Sequence, residues 1–318
     1  MTPTVTPDII SLGECMVELF SQEPIARAAS FHKAFGGDTL NTLVASARLG
    51  ASTGYITCVG DDPFAPFLLE GWRAEGMDVS HARLVEGFNA VYFISLLAGG
   101  EREFTYYRSG SAASTMTPAD LDAAYIGQAR VLHVSGISQA ISPSCRETVL
   151  AAVRLARERG VLVSYDPNLR RKLWPSLDDA RAAMQEVLPF ADIVLPSAPE
   201  EMTDLLDVQT TEEGIERLWA AGVSTAAVKL GAKGCLLGHD GRVVAIPPFV
   251  PEAVVDATGA GDAFDGAFLH GLVSGLSPEE AARLAVVCAG LSLRSRGAIG
   301  GLPYHEEAYA AWRALPRD

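Results

Sequence analysis

The chain has 318 residues, of which 48% are hydrophobic, and its 25 Lys and Arg against 39 Asp and Glu give a formal net charge of −14. That length can bury the core of one large α/β unit or of two domains. The acidic balance argues against nucleic acid or an anionic membrane surface as the partner. The cysteines are scattered, odd in number and free of C-x-x-C spacing, which predicts a cytoplasmic protein without a disulfide framework or a zinc site; they are Cys15, Cys58, Cys145, Cys235 and Cys288. The first residues show no basic segment before an apolar run, and no apolar stretch is long enough to span a membrane, so we expect neither targeting nor membrane insertion.

Strand-like and helix-like segments alternate along most of the chain. Apolar runs predict strands at 8–13, 52–60, 131–136, 161–166, 192–197 and 225–230. A 3.6-residue apolar period predicts helices at 38–49, 63–75, 144–159, 177–188, 212–221, 262–274 and 278–293. This order is typical of a parallel sheet covered by helices on both faces, an α/β fold.

Two segments interrupt the alternation and are β-rich, at about 15–35 and about 90–110. In the second, the runs 91–97 and 103–108 flank the turn Gly99-Gly100-Glu101, which predicts a hairpin. We find no internal repeat, low-complexity tract or linker, so we expect one domain over residues 1–318.

The stretch GGDTLNTLVASARLGA, residues 36–51, places paired glycines before a helix whose first turn holds Asp38 and Asn41. For Asp38 the pattern allows a turn followed by a helix N-cap. Asn41 is harder to interpret as a cap, because it lies a turn inside the helix, where asparagine is a mediocre helix former.

The stretch DPNLR, residues 166–170, ends a predicted strand, and ligands bind at the carboxyl ends of strands in open α/β sheets. The alternative is a proline-stiffened loop with Arg170 in solvent. Further on, KLGAKG at 229–234 is a strand followed by a turn, a pattern that is unspecific without its context.

The nine residues DATGAGDAF, 256–264, combine a glycine turn, a helix start and a carboxylate. The turn Gly259-Ala260-Gly261 should leave unpaired N–H groups at a positive helix end, which suits a phosphate. Asp262 either favours the helix dipole or takes a proton from a hydroxyl that attacks the bound phosphate. The Walker A and G-x-G-x-x-G patterns are absent, which disfavours a P-loop enzyme and an NAD-linked dehydrogenase.

These segments resemble the ribokinase-like sugar kinases, the PfkB carbohydrate kinase family. The stretch 256–264 is similar to the C-terminal signature of that family and 36–51 to its N-terminal signature, and the resemblance covers essentially the whole chain. It implies a three-layer α/β/α core with a mostly parallel sheet, and a small β-sheet lid formed by about 15–35 and 90–110. It also implies ATP and Mg²⁺ as cofactors, a small sugar as acceptor and a homo-oligomer formed through the lid, and it leaves open whether a monovalent cation is needed.

The resemblance also implies roles for individual residues. Asp262 would be the catalytic base, and the amides of Gly259, Ala260 and Gly261 would stabilise the transferred phosphoryl group. The residues implied to bind the sugar are Gly37, Asn41, Tyr92, Tyr106, Arg108, Arg170 and Asp262. Those implied at the nucleotide are Asn168, Arg170, Lys229, Gly231, Gly234, Gly259 and Gly261. The family commonly carries Asn-x-x-Glu after its fifth core strand, and here Ser197 replaces the asparagine while Glu200 is kept, to hold magnesium through water.

The choice of sugar depends on the predicted lid. Tyr106-Tyr107-Arg108 and Tyr92 resemble 2-keto-3-deoxygluconate kinases, and the string DPNLRRKLW is shared by those enzymes and fructokinases. A guanidinium pairs with the carboxylate of a sugar acid, although the two tyrosines could also be ordinary strand aromatics beside a surface arginine. Ala298 stands where some of these kinases carry an aspartate.

We therefore expect a kinase that converts 2-keto-3-deoxy-D-gluconate to its 6-phosphate. The alternatives are a fructokinase, a ribokinase-type or nucleoside kinase, a non-catalytic sugar-binding or regulatory protein on the same fold, and a Rossmann-type dehydrogenase.

Overall fold

Helices and strands alternate in the computed structural model, which describes residues 6–97 and 102–316. The strands are β1 (Ile9–Leu12), β2 (Met16–Ser21), β3 (His32–Gly36), β4 (Thr53–Gly60), β5 (Ala82–Val85), β6 (Ala90–Leu96), β7 (Arg102–Tyr107), β8 (Val131–Ser135), β9 (Leu162–Asp166), β10 (Ile193–Val194), β11 (Thr225–Lys229), β12 (Cys235–His239) and β13 (Arg242–Ile246). The helices are α1 (Asp38–Leu49), α2 (Ala65–Ala74), α3 (Ala123–Ile126), α4 (Gly136–Ala140), α5 (Pro143–Glu158), α6 (Leu177–Val187), α7 (Glu200–Leu206), α8 (Thr211–Ala220), α9 (Ala260–Val273), α10 (Pro278–Ser292) and α11 (His305–Arg313).

Nine strands form one large sheet in the order β13-β12-β11-β10-β9-β8-β1-β4-β5. The seven strands from β11 to β5 are parallel, whereas β12 and β13 are antiparallel additions at one edge. Successive residues of β1 point to opposite faces: Ile9 packs with residues of α1, α2, α9 and α10, and Ile10 with residues of α5, α6 and α8. The predicted three-layer α/β fold with a mostly parallel sheet is confirmed.

The two β-rich segments pair with each other in a second sheet, here called the lid sheet, in the order β3-β2-β6-β7. Strands β2 and β6 are parallel, and the outer pairs are antiparallel. The predicted hairpin is present as the β6–β7 pair, in which Tyr92 lies opposite Tyr106. Its predicted turn, 99–101, lies outside the described residues.

The observed bounds differ from the predicted ones in a few places with identifiable causes. The helix predicted at 262–274 begins at Ala260, because the glycine turn already contributes its last two residues to α9. The strand predicted at 192–197 shortens to the two residues of β10. Pro196 follows shortly after and has no N–H to donate to a neighbouring strand. Within the described ranges, no helix is both long and apolar enough to cross a membrane.

Candidate active site

Charged side chains lie at, or just after, the carboxyl ends of three parallel strands of the large sheet. Glu14 comes shortly after β1, Asp166 is the last residue of β9, and Lys229 is the last residue of β11. Because parallel strands end at the same edge, these groups converge there. Helix α9 begins at this edge as well, since the Lys229 ammonium reaches Asp265 in its second turn.

The start of α9 is shaped by the glycine turn. Gly259 is the N-cap residue with φ of 77°, a left-handed conformation that favours glycine, and a Cβ there would lie 2.9 Å from the backbone of Ala298. At Gly261 the nearest atom to such a Cβ would be the Lys229 ammonium at 3.8 Å, so the backbone is accessible. The first N–H groups of a helix lack partners within it, so this turn can bind an anion.

Two cavities meet at this turn. The first, here called the lid cavity, has a volume of about 420 Å³ and lies between the lid sheet and the start of α9. It contains nine of the predicted site residues, namely Gly37, Asn41, Tyr92, Tyr106, Arg108, Asn168, Arg170, Gly259 and Asp262. Every residue predicted to bind the sugar therefore lines one cavity.

The second cavity, here called the core cavity, has a volume of about 540 Å³. It contains Lys229, Gly231, Gly234, Ala260 and Gly261 of the predicted residues, and its other walls are largely apolar, with Phe249, Phe264 and Leu293. Apolar and aromatic walls with a few polar groups at one end are typical of sites for a flat ring that carries a charged tail. The residues predicted at the nucleotide are thus divided, with Asn168 and Arg170 on the lid side of the turn and Lys229, Gly231 and Gly234 on the core side.

Asp262 lies at the base of the lid cavity and is held by Asn41. The Asn41 Nδ2 donates a hydrogen bond of 2.7 Å to Asp262 Oδ2, while Asn41 Oδ1 accepts one of 3.3 Å from the Gly37 N–H. Burial, together with the charge of Asp38, raises the pKa of Asp262 to about 7. A carboxylate with this pKa can accept a proton near neutral pH.

Beneath the anion-binding turn, Lys229 forms buried ion pairs that were not predicted. Its Nζ lies 3.0 Å from Asp166 Oδ2 and 3.0 Å from Asp265 Oδ1. Burial alone would lower the pKa of Lys229, but the two carboxylates raise it, so the ammonium stays charged. The cluster ties α9 to the ends of β9 and β11. Asp265 could have been found from its spacing, because it lies three residues after Asp262 on the same helix face.

Arg108 reaches the lid cavity but already has a charged neighbour, Glu14. The Glu14 side chain is only 2% exposed, and burial raises its pKa to about 7 despite the neighbouring guanidinium. Alternation along β7 turns Tyr106 toward the cavity, where it stacks on Tyr92, while Tyr107 packs edge-on against Phe93 of the opposite face. The sequence reasoning missed Glu14, whose signal is its place after a buried strand at the ligand-binding edge.

Arg170 and Glu200 lie at the outer rim of the site. Both side chains are exposed, and both line a third cavity of about 290 Å³ beside Ser197. The buried carboxylate in this region is that of Glu201, which accepts hydrogen bonds of 2.7 Å from the N–H groups of Leu169 and Ser197. No three His, Cys, Asp or Glu side chains of the described chain are grouped to hold a metal ion.

The lid sheet is attached to the turn before α9 by an ion pair between Arg102 of β7 and Asp256. Asp256 also accepts hydrogen bonds from the N–H groups of Thr258, at 2.9 Å, and Gly297, at 2.8 Å. Within the lid sheet, the Tyr92 hydroxyl donates a short hydrogen bond to Glu18. Together these contacts connect the lid to the loop that carries Gly259.

Two cavities thus lie on either side of a helix start that carries a carboxylate, a geometry that suits phosphoryl transfer. The chain belongs to the pfkB family of carbohydrate kinases, whose family model matches residues 6–304. Fructokinase-1 of Oryza sativa subsp. japonica is 36% identical over 311 residues, covering 94% of this chain and 95% of that protein. The 2-dehydro-3-deoxygluconokinase of Thermoproteus tenax is 35% identical over 312 residues, covering 96% and 94%.

Among solved structures, the PfkB protein from Polaromonas sp. JS666 superposes with a TM-score of 0.86 at 33% identity, covering 96% of this chain and 99% of that one. The resemblance seen in the sequence is confirmed, and the chain is an ATP-dependent phosphotransferase that acts on sugars. This result contradicts the alternatives of a dehydrogenase and of a non-catalytic sugar-binding protein.

Proposed function

We propose that this kinase phosphorylates the 6-hydroxyl of 2-keto-3-deoxy-D-gluconate, bound in the lid cavity, with ATP bound in the core cavity. The observation that carries the proposal is the pair of guanidinium groups on the lid cavity, Arg108 under the lid sheet and Arg170 at the rim. A sugar acid brings one carboxylate, and arginine pairs with carboxylates in a bidentate geometry. A relative named 2-dehydro-3-deoxygluconokinase at 35% identity agrees with this substrate class.

The reacting groups would meet at the start of α9. With the acceptor in the lid cavity, its hydroxyl can donate to Asp262, which takes the proton as the new O–P bond forms. With the phosphates on the core side, the N–H groups of Gly259 and Gly261 would face the charge that develops on the transferred phosphoryl group, whereas the Ala260 N–H donates a hydrogen bond of 3.3 Å to the Ala257 carbonyl. Asn41 orients the Asp262 carboxylate, and the buried Lys229 cluster holds α9 in register with the sheet.

Magnesium would bind mainly through the phosphates of the nucleotide. The donor set fits this interpretation, because Glu200 offers an exposed carboxylate at the third cavity, and Mg²⁺ commonly keeps several waters and takes one or two carboxylates. Bound there, Mg²⁺ would neutralise phosphate charge. Ser197 offers a hydroxyl on the same cavity, and we propose that Glu200 acts on the ion through water.

The second candidate function is a fructokinase, and one feature of the cavity favours it. Glu14 already pairs with Arg108, so less of the guanidinium charge is left for a substrate carboxylate. The rice relative named fructokinase is 36% identical, which does not separate the two substrates.

A substrate panel separates these candidates. The protein is assayed with ATP, Mg²⁺ and a series of sugars and sugar acids, and ADP release is measured with a coupled enzyme. We expect the highest kcat/KM for 2-keto-3-deoxy-D-gluconate and a 6-phosphate product by ³¹P and ¹³C NMR. A higher kcat/KM for fructose would replace the first candidate with the second. The Asp262→Asn variant serves as the control for contaminating kinases.

We also propose a homo-oligomer formed through the lid sheet, in the reduced cytoplasm. Tyr107 on β7 is 61% exposed on the face turned away from the lid cavity, a large aromatic side chain that a second copy could cover. Light scattering of the protein and of a Tyr107→Lys variant tests this, and an equal mass for the two would contradict the proposed interface.

A further inference from the structure

Glu14 is a buried carboxylate on the wall of the lid cavity for which the proposed chemistry has no role. It lies shortly after β1, is 2% exposed and lines the same cavity as Asp262 and Arg108. Burying a charged group is costly unless its lone pairs are satisfied. The buried Glu14 carboxylate therefore needs groups that donate hydrogen bonds to it.

The neighbouring arginine satisfies this carboxylate only in part. Arg108 Nη2 contacts Glu14 Oε1 in the ion pair, whereas Oε2 accepts no hydrogen bond within the described residues. On the arginine side, Nε donates no hydrogen bond within that same part of the chain. A carboxylate can accept about four hydrogen bonds and a guanidinium can donate five, so most of this capacity is unused.

We propose that Glu14 is a sugar-binding residue whose carboxylate accepts hydrogen bonds from hydroxyl groups of the phosphoryl acceptor. A sugar is the kind of ligand that presents several O–H donors within a few ångströms, and hydrogen bonds to a charged acceptor are the stronger kind. Arg108 beside it would donate to oxygens of the same molecule. Glu14 then contacts hydroxyl groups of the sugar, and Arg108 and Arg170 contact the carboxylate of a sugar acid.

This role rests on the proposed placement of the acceptor in the lid cavity, but it does not depend on which sugar is the substrate. For a sugar acid, the carboxylate of the substrate must reach Arg108 or Arg170 without contacting Glu14, because two carboxylates in contact repel. For a neutral ketose, no such restriction applies. The charge of Glu14 thus sets the orientation of an acidic substrate as well as its affinity.

The test is Glu14→Gln, assayed with whichever sugar the wild-type protein turns over most efficiently. The variant keeps the shape and removes the charge, so we expect the KM for the sugar to rise about tenfold while the KM for ATP stays unchanged. Glu103→Gln, the same change at an exposed position of β7, is the matched control and should change neither value. Equal increases in both KM values, or a fall in kcat alone, would overturn the proposal, because either pattern indicates a general loss of site geometry.

Deoxy analogues of the same sugar identify the contact. The analogue that lacks the hydroxyl held by Glu14 should bind the wild-type and Glu14→Gln proteins equally, whereas the other analogues should keep the tenfold difference. If every analogue keeps that difference, Glu14 contacts no hydroxyl and the proposal is wrong. A melting curve for each variant confirms folding, and Glu14→Asp replaces Glu14→Gln if the latter is unfolded. A wild-type preference for fructose would overturn the proposed substrate and leave this inference in place.

Discussion

With Asp262 as the proposed catalytic base, its pKa predicts that the activity of this kinase depends on pH near neutrality. Because burial and Asp38 raise that pKa to about 7, roughly a tenth of the base is ionised one pH unit below it. The base works only when ionised, so kcat/KM for the sugar should fall about tenfold per pH unit below 7. Asp262→Asn should lose roughly 100-fold or more of kcat above pH 7, and less below it, where the wild-type base is itself protonated.

The fall in kcat/KM below pH 7 is the acidic limb of the pH profile. Two neighbours of Asp262 should move this acidic limb in opposite directions. Asp38→Asn removes a negative charge that raises the pKa of Asp262 and that of Glu14, so the limb should shift to lower pH. Asn41→Leu removes the 2.7 Å hydrogen bond that favours the ionised form, so the limb should shift to higher pH. Lys229 and Asp166 are retained in both variants, so their contributions cancel in the comparison.

The assay is the pH dependence of kcat/KM for the sugar at saturating ATP and Mg²⁺, from pH 5.5 to 9 in buffers of constant ionic strength. Asp178→Asn on α6, where the side chain is 89% exposed, is the matched control and should not move the limb. Shifts in the same direction for Asp38→Asn and Asn41→Leu, or no shift in either, would refute the assignment of the limb to Asp262.

Three further variants test other parts of the site. Arg108→Ala should raise KM for a sugar acid roughly ten- to hundredfold, since a charge-assisted hydrogen bond is worth about 1.5–3 kcal/mol. It should raise KM for fructose less, because fructose has no carboxylate, and equal changes for both substrates would mean that Arg108 only supports the lid. Gly261→Val should abolish most activity by blocking approach of phosphate to the backbone, with an unchanged melting temperature, and normal turnover would place the phosphates elsewhere. Arg102→Gln should raise KM for the sugar severalfold and speed amide hydrogen exchange in β7, because it breaks the ion pair with Asp256. The control is Arg157→Gln, which breaks an exposed ion pair with Asp192. Identical behaviour of the two variants would contradict a role for Arg102 in holding the lid.

The local pattern of apolar residues in the sequence was enough to locate most helices and strands of this protein. The helix predicted at 38–49 coincides with α1, and the segment at 278–293 differs from α10 by one residue, because long amphipathic segments carry their period and their ends in the sequence. The short strands β12 and β13 were not predicted. They pair as consecutive antiparallel hairpins with their chain neighbours at the sheet edge, and strands of five residues are stabilised by such pairing more than by their own sequence pattern.

The sequence by itself also determined the anion-binding turn and its carboxylate, because a glycine turn, a helix start and Asp262 are adjacent in the chain. Only the tertiary structure decided which charged groups surround them. Asn41 and Asp262 are 221 residues apart, and Lys229 lies 63 residues from Asp166, yet each pair is joined by a hydrogen bond. The sequence predicted Arg108 as a cation for the substrate, but the fold places Glu14 beside it. Charge pairing and pKa depend on distance and burial, and these quantities exist only once the strands have been brought side by side.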